Sequence, residues 1–271
     1  MPLIELNELE RISPIFCGKT GNALGKSLMG MLAIDKVNEL YDRNVNTKGP
    51  EFAGSVLNDI GVDVEVHGDI NLSDLPTGPF ITISNHPYGS IDGIILLYVF
   101  GHVRHDFKVM VNKLLARIDT MKDSFICVTP TGNERTSPTN DSLRGIRDAV
   151  SHVRSGHPLG IFPSGAVSDF SFRDMRVRDR QWQEPVIRLI KKLRVPVVPV
   201  KFLDRNSAFF YSLGLIDWRV RLMRLPWEVF NKRGTTARIE IGEIITPQMQ
   251  DEYDDLAAFG NFLRSSIYKN H

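Results

Sequence analysis

The chain has 271 residues, 42% of them hydrophobic and 24% charged, which is enough to bury a sizeable core and gives no sign of disorder or repetition. Its 33 basic and 32 acidic residues leave a net charge of +1, so no whole-molecule field draws it to nucleic acid. Two distant cysteines, Cys17 and Cys127, make neither a disulfide framework nor a zinc spacing, and the cytoplasm is the expected compartment.

The acidic first ten residues lack the basic and apolar regions of a secretory signal. No run approaches the ~18 apolar residues of a membrane span. If the protein meets a membrane, it is expected to lie on its inner, cytoplasmic face.

Taken in order, residues 1–26 carry turn formers and receive no assignment. An apolar stripe of Leu28, Met31, Leu32, Ile34, Val37 and Leu40 predicts a helix over 26–43. A second helix over 51–59 stops at Gly61. Alternation over 62–67 predicts a half-buried strand. Short runs of β formers predict further strands over 80–84, 107–112, 125–129, 159–163, 195–200 and 238–242. Helices are predicted over 141–155, 182–194 and 247–268. The polar segment 130–140 reads as a long loop, and an arginine-dense stretch follows Ser168. Strands alternating with helices predict an α/β fold, a mostly parallel central sheet flanked by helices. An N-terminal helical segment, 1–61, would precede the main domain, 62–271. In such sheets, sites gather where strands end.

One junction stands out. The strand ending at Ser84 runs into Asn85-His86-Pro87-Tyr88-Gly89-Ser90-Ile91-Asp92, and then into an apolar helix for which Ser90 is the candidate cap. A histidine and a carboxylate held across a tight turn are the parts of an oriented general base. By spacing alone, a surface histidine beside a capped helix is as good a reading. Asn85, Gly89 and Gly93 favour an open turn that a ligand can approach.

Other residues carry less. Ser164 lacks the Gly-x-Ser-x-Gly setting of a hydrolase nucleophile. His102, His105 and Asp106 sit in a polar joint and read as solvated rather than as a metal site. Cys127 reads as a core residue. The segment 213–230 reads as packed helix, although its arginines and indoles also suit an interfacial surface.

The His86 to Asp92 run is followed by Phe162-Pro163-Ser164-Gly165 and by Val195-Pro196-Val197-Val198-Pro199-Val200. In that order these blocks resemble the glycerolipid acyltransferase family, which makes phosphatidic acid. The resemblance spans residues 80–242. Two departures narrow it. Five residues separate His86 from Asp92, against four in the usual motif, and Ser164 replaces the glutamate of the Phe-Pro-Glu-Gly block. The longer turn, the Ser168 that follows Gly165, and Arg205-Asn206-Ser207 resemble a bacterial, hemolysin-like branch linked to O-acylation of amino-acid lipids.

The resemblance implies an O-acyltransferase that moves a fatty acyl chain from acyl carrier protein or acyl-CoA to the hydroxyl of a lysolipid. Either lysophosphatidic acid or an N-acyl amino-acid lipid, such as a lyso-ornithine or lyso-glycine lipid, would be the acceptor. His86 would be the base and Asp92 its orienting partner. Asn85, Gly89, Ser90, Phe162, Pro163, Ser164, Gly165 and Ser168 would bind substrate. Amide N–H groups around Ser164 and Gly165 would receive an anionic head group. Arg135, the nearest counterpart of the family's second-block arginine, or Arg173 would add charge. No metal, cofactor or nucleic acid is called for. The alternative is a lipid-binding or scaffold protein that keeps the fold without the chemistry.

Overall fold

The computed structural model describes residues 17–128 and 140–268. A seven-stranded sheet runs β1 (Val62–Gly68), β9 (Thr235–Ile241), β8 (Val197–Phe202), β2 (Ile81–Ser84), β5 (Leu159–Ile161), β3 (Lys108–Asn112), β4 (Phe125–Val128) in spatial order. Every neighbouring pair is parallel except β8 with β9. This is the expected mostly parallel sheet, and each predicted strand is present.

All four residues of β2 are buried, as befits a central strand covered on both faces. On one face, helices α3 (Gly49–Ile60) and α4 (Asp92–Val103) build a core with Phe52, Val56, Leu96 and Phe100. On the other, α5 (Asn140–Arg154), α6 (Glu184–Leu193) and α11 (Leu256–Ile267) contribute Ala149, Val153, Ile187, Ile190, Phe259 and Leu263. Pro199 falls where β8 changes partners on the β9 side, between the Val200–Ile241 pairing and the isolated Val197–Ile245 bridge, so its missing N–H breaks no run of ladder bonds.

The helix predicted over 26–43 is instead two, α1 (Gly18–Met31) and α2 (Ile34–Asn44). Ala33, fully buried, takes a left-handed φ of 58° between them. Alanine is a strong helix former, so local preference does not report a break that packing imposes. Met31, expected in the apolar stripe, is consequently 69% exposed. Leu40 and Tyr41 of α2 join the same core as α3.

The arginine-dense stretch forms a hairpin, β6 (Asp169–Ser171) with β7 (Arg176–Arg178). Beyond β8 the predicted single segment is three short helices, α7 (Ala208–Ile216), α8 (Trp218–Met223) and α9 (Leu225–Phe230). The last predicted helix divides into α10 (Pro247–Asp251) and α11.

Asp106 is paired rather than solvated. Arg104 grips it through Nε at 3.0 Å and Nη2 at 2.8 Å, and His157 Nδ1 lies 2.8 Å from its Oδ2. Arg104 Nη1 also donates to the carbonyls of Pro76, Thr77 and Gly78, which pins the chain entering β2. Among the described residues, no helix is long and apolar enough to cross a membrane.

Candidate active site

Central strand β2 delivers His86 just beyond its C-terminal end, and the chain folds back through residues 87–91 to start α4 at Asp92. The carboxylate of Asp92 is fully buried. Its Oδ1 accepts the Tyr88 N–H at 3.2 Å and its Oδ2 the Gly89 N–H at 2.6 Å. Asp92 therefore closes the turn itself. The expected Ser90 cap is not formed; Ile91 is the N-cap residue and contributes no side-chain bond.

Oδ2 of Asp92 also lies 2.7 Å from Nδ1 of His86. The N–H direction is not aimed at the oxygen, so this is a close approach rather than an aligned hydrogen bond. Nε2 is the ring nitrogen turned away from this contact, and the side chain keeps 19% of its exposure, enough to meet a ligand. The Phe162 ring stacks on the imidazole at 4.3 Å between centroids, which fixes the ring plane.

Gly89 makes the longer turn possible. It sits at φ +72°, and a Cβ there would come within 2.4 Å of Val167 Cγ2 and 3.1 Å of Leu225 Cδ2. The turn's carbonyls are held from the other side. Asn206 Nδ2 donates to Tyr88 O at 2.8 Å and the Tyr211 hydroxyl to Pro87 O at 2.9 Å.

Asn85 faces inward. Its Nδ2 donates to Phe202 O at 3.0 Å and its Oδ1 accepts the Phe202 N–H at 2.7 Å, so the amide bonds the end of β8. Ser164 is buried and donates to Ala166 O at 2.8 Å. Gly165, at φ +62°, gives its N–H to Phe162 O at 3.0 Å, and the Ala166 N–H points to Ser164 Oγ at 3.4 Å. The amides of Gly165 and Ala166 are thus used within the turn. The Pro163 carbonyl accepts the Gln183 N–H at 3.0 Å. Arg135 lies outside the described residues.

Ser168 joins the two motifs. Its N–H donates to His86 O at 2.9 Å, while its hydroxyl donates to Asp179 Oδ1 at 2.6 Å. That oxygen also accepts the His86 N–H at 3.1 Å, and Asp179 Oδ2 accepts Trp182 Nε1–H at 3.2 Å. Burial pushes the Asp179 carboxyl above its ordinary range, against the pull of these three donors.

Sequence reading missed Asp179 and Tyr211. Asp179 stands between Arg178 and Arg180, where a charged residue looks solvated. The signal for Asn206 was present in the run after β8, although the side chain supports the turn rather than reaching outward.

A parallel α/β sheet whose central strand ends in an imidazole against a buried carboxylate has the equipment of a transferase that activates a hydroxyl. The chain matches the acyltransferase family over residues 26–269 and belongs to it; it is an acyltransferase. It is 28% identical to the lyso-glycine lipid O-acyltransferase of Bacteroides thetaiotaomicron over 246 residues, covering 87% of this chain and 85% of that one. It is 25% identical to the lyso-glycine lipid O-acyltransferase of Phocaeicola vulgatus, covering 98% and 95%. Among solved structures it resembles the 1-acyl-sn-glycerophosphate acyltransferase PlsC of Thermotoga maritima, with 16% identity, coverage of 85% and 84%, and a TM-score of 0.48.

Proposed function

We propose that this acyltransferase moves a fatty acyl chain from a thioester carrier, acyl carrier protein or acyl-CoA, to the hydroxyl of an N-acyl amino-acid lysolipid of the lyso-glycine type. The observation that carries the reaction is the 2.7 Å approach of Asp92 Oδ2 to His86 Nδ1. With Nδ1 committed to the carboxylate, Nε2 is left to accept a proton.

The acceptor hydroxyl attacks the thioester carbonyl while Nε2 of His86 takes its proton. The tetrahedral intermediate then collapses to the ester. The carrier sulfur leaves and receives the proton from His86, so the enzyme returns to its starting state. Asp92 steadies the imidazolium between the two steps. Phe162 keeps the ring from turning away. Ser168 and Asp179 hold the peptide on which His86 sits.

An amino-acid acceptor is favoured over lysophosphatidic acid by the names of the two relatives and by Ser164, whose hydroxyl is turned into its own turn and brings no charge to a head group. The enzyme would work at the inner membrane surface, where a one-chain lipid partitions.

Purified protein incubated with each thioester donor and a panel of lysolipids tests the reading. Thioester consumption with formation of an O-acylated glycine lipid is expected, and His86→Ala should remove it while leaving the circular dichroism spectrum unchanged. Lipid association without thioester loss, or near wild-type turnover by His86→Ala, would overturn it.

A further inference from the structure

Seven of the seventeen exposed large apolar side chains among the described residues lie between positions 203 and 223. That density marks a surface meant for contact rather than scattered exposure. Helix α7, AFFYSLGLI, carries no charge at all, yet it is only half covered. Phe210 and Tyr211 are buried on one side, while Phe209, Leu215 and Ile216 are exposed at 56%, 56% and 81%. Helix α8 continues the surface with Trp218, Val220 and Met223, each between 44% and 50% exposed.

Cations are set among these apolar groups. The Arg219 guanidinium lies 5.2 Å from the Trp218 ring centroid. Arg224 lies 5.3 Å from both Phe209 and Trp227, which ties the end of α8 to α7 and α9. Of the acidic groups nearby, Asp217 caps α8 by accepting the Arg219 N–H, and Glu228 is buried against Ser207 and Lys232. Exposed apolar side chains and the Trp218 indole, with the exposed Arg219 head set among them, fit the boundary between acyl chains and anionic headgroups.

We propose that α7 and α8, joined by Trp227 of α9, form the face by which this protein docks on an anionic bilayer. The inference rests on the lipid-acceptor reading and names the surface that serves it. The same helices hold the reactive turn. Tyr211 of α7 bonds Pro87 O, Asn206 just before α7 bonds Tyr88 O, and Leu225 of α9 packs at Gly89. Docking would therefore bring the His86 turn to the membrane surface as one unit with the helices that touch it.

The test is flotation of the full chain with vesicles of phosphatidylcholine alone and of phosphatidylcholine with phosphatidylglycerol. Wild type should float with the anionic vesicles. Ile216→Glu with Val220→Glu should lose that binding, and Arg219→Gln should weaken it by about fivefold, the worth of one basic residue at a charged surface. All variants should keep wild-type turnover of a short-chain, water-soluble acceptor, because none of these residues lies in the site.

Equal flotation of wild type and the double variant would overturn the proposal. So would a wild type that ignores vesicles but sediments as a dimer that the double variant splits, since the face would then belong to a second copy. Vesicle binding that the variants abolish, in a protein that consumes no thioester, would leave the docking face standing and remove the acyl-transfer reading instead.

Discussion

The backbone N–H of His86 donates to the buried Oδ1 of Asp179, a residue 93 positions further along the chain. The two would not be paired by any local pattern. The bond joins the turn after β2 to the strand end of the small hairpin, and Ser168 bridges the same two residues through its amide and its hydroxyl. A carboxylate is well suited here, because it accepts from all three donors at once and none is left unpaired.

Asp179→Asn should cost about 1–3 kcal/mol, since one amide face now opposes a donor. Ser168→Ala removes one of the same bonds. In a double-mutant cycle followed by urea unfolding, the pair should show a coupling energy of about 0.5–3 kcal/mol. Additive effects would mean that the two side chains support His86 independently.

Asp92→Asn keeps an oxygen for one of the two turn amides, sets an NH2 against the other, and removes the charge beside Nδ1. Turnover should fall by about 10²–10⁴-fold, the range expected for loss of an assisted general base. The Michaelis constant for the acceptor should change far less. A matching rise in that constant with turnover intact would assign Asp92 to binding rather than to the base.

Gly89→Ala meets two obstacles, a left-handed backbone and the 2.4 Å approach to Val167 Cγ2. The backbone alone accounts for about 1–2 kcal/mol. The measured loss of stability should exceed that, and activity should fall with it because Gly89 N–H holds Asp92. Adding Val167→Ala removes the methyl groups in the way and should restore part of the gap between the single variant and the backbone cost. No rescue would show that conformation, not contact, sets the requirement for glycine.

Asp106 supplies a pH dependence of known sign. Burial works to raise its carboxyl, but Arg104 and His157 outweigh it and hold the value down to about 2, against an ordinary 3.8. The folded state therefore binds its proton less readily than the unfolded chain. The stabilisation is complete above about pH 3.8, and it is lost as the pH falls toward 2. Thermal melts across that window should show the loss in wild type and a flatter profile in Asp106→Asn. Asp179 has the opposite sign: its raised carboxyl stabilises the fold below the ordinary carboxylate range and ceases to do so as the pH rises.

The sequence by itself determined the alternation of strands and helices, the seven strands of the sheet, and the placing of His86 and Asp92 across one turn, because these rest on local hydrophobic period and on residues close in the chain. It also pointed to Gly89, whose need for a positive φ belongs to the tight turn itself. The rest follows from contacts made across the fold. The antiparallel entry of β9 beside β8 depends on register between strands distant in sequence. The break at Ala33 is imposed by burial against local preference. Asp179 and Tyr211 reach the His86 turn only once the sheet has formed, since their partners lie far away in sequence. Where the amide hydrogens of Gly165 and Ala166 point was also decided by the folded turn, which a motif does not encode. Chemistry carried by neighbours in the chain was legible, whereas the support that holds it in place arises from contacts made across the fold.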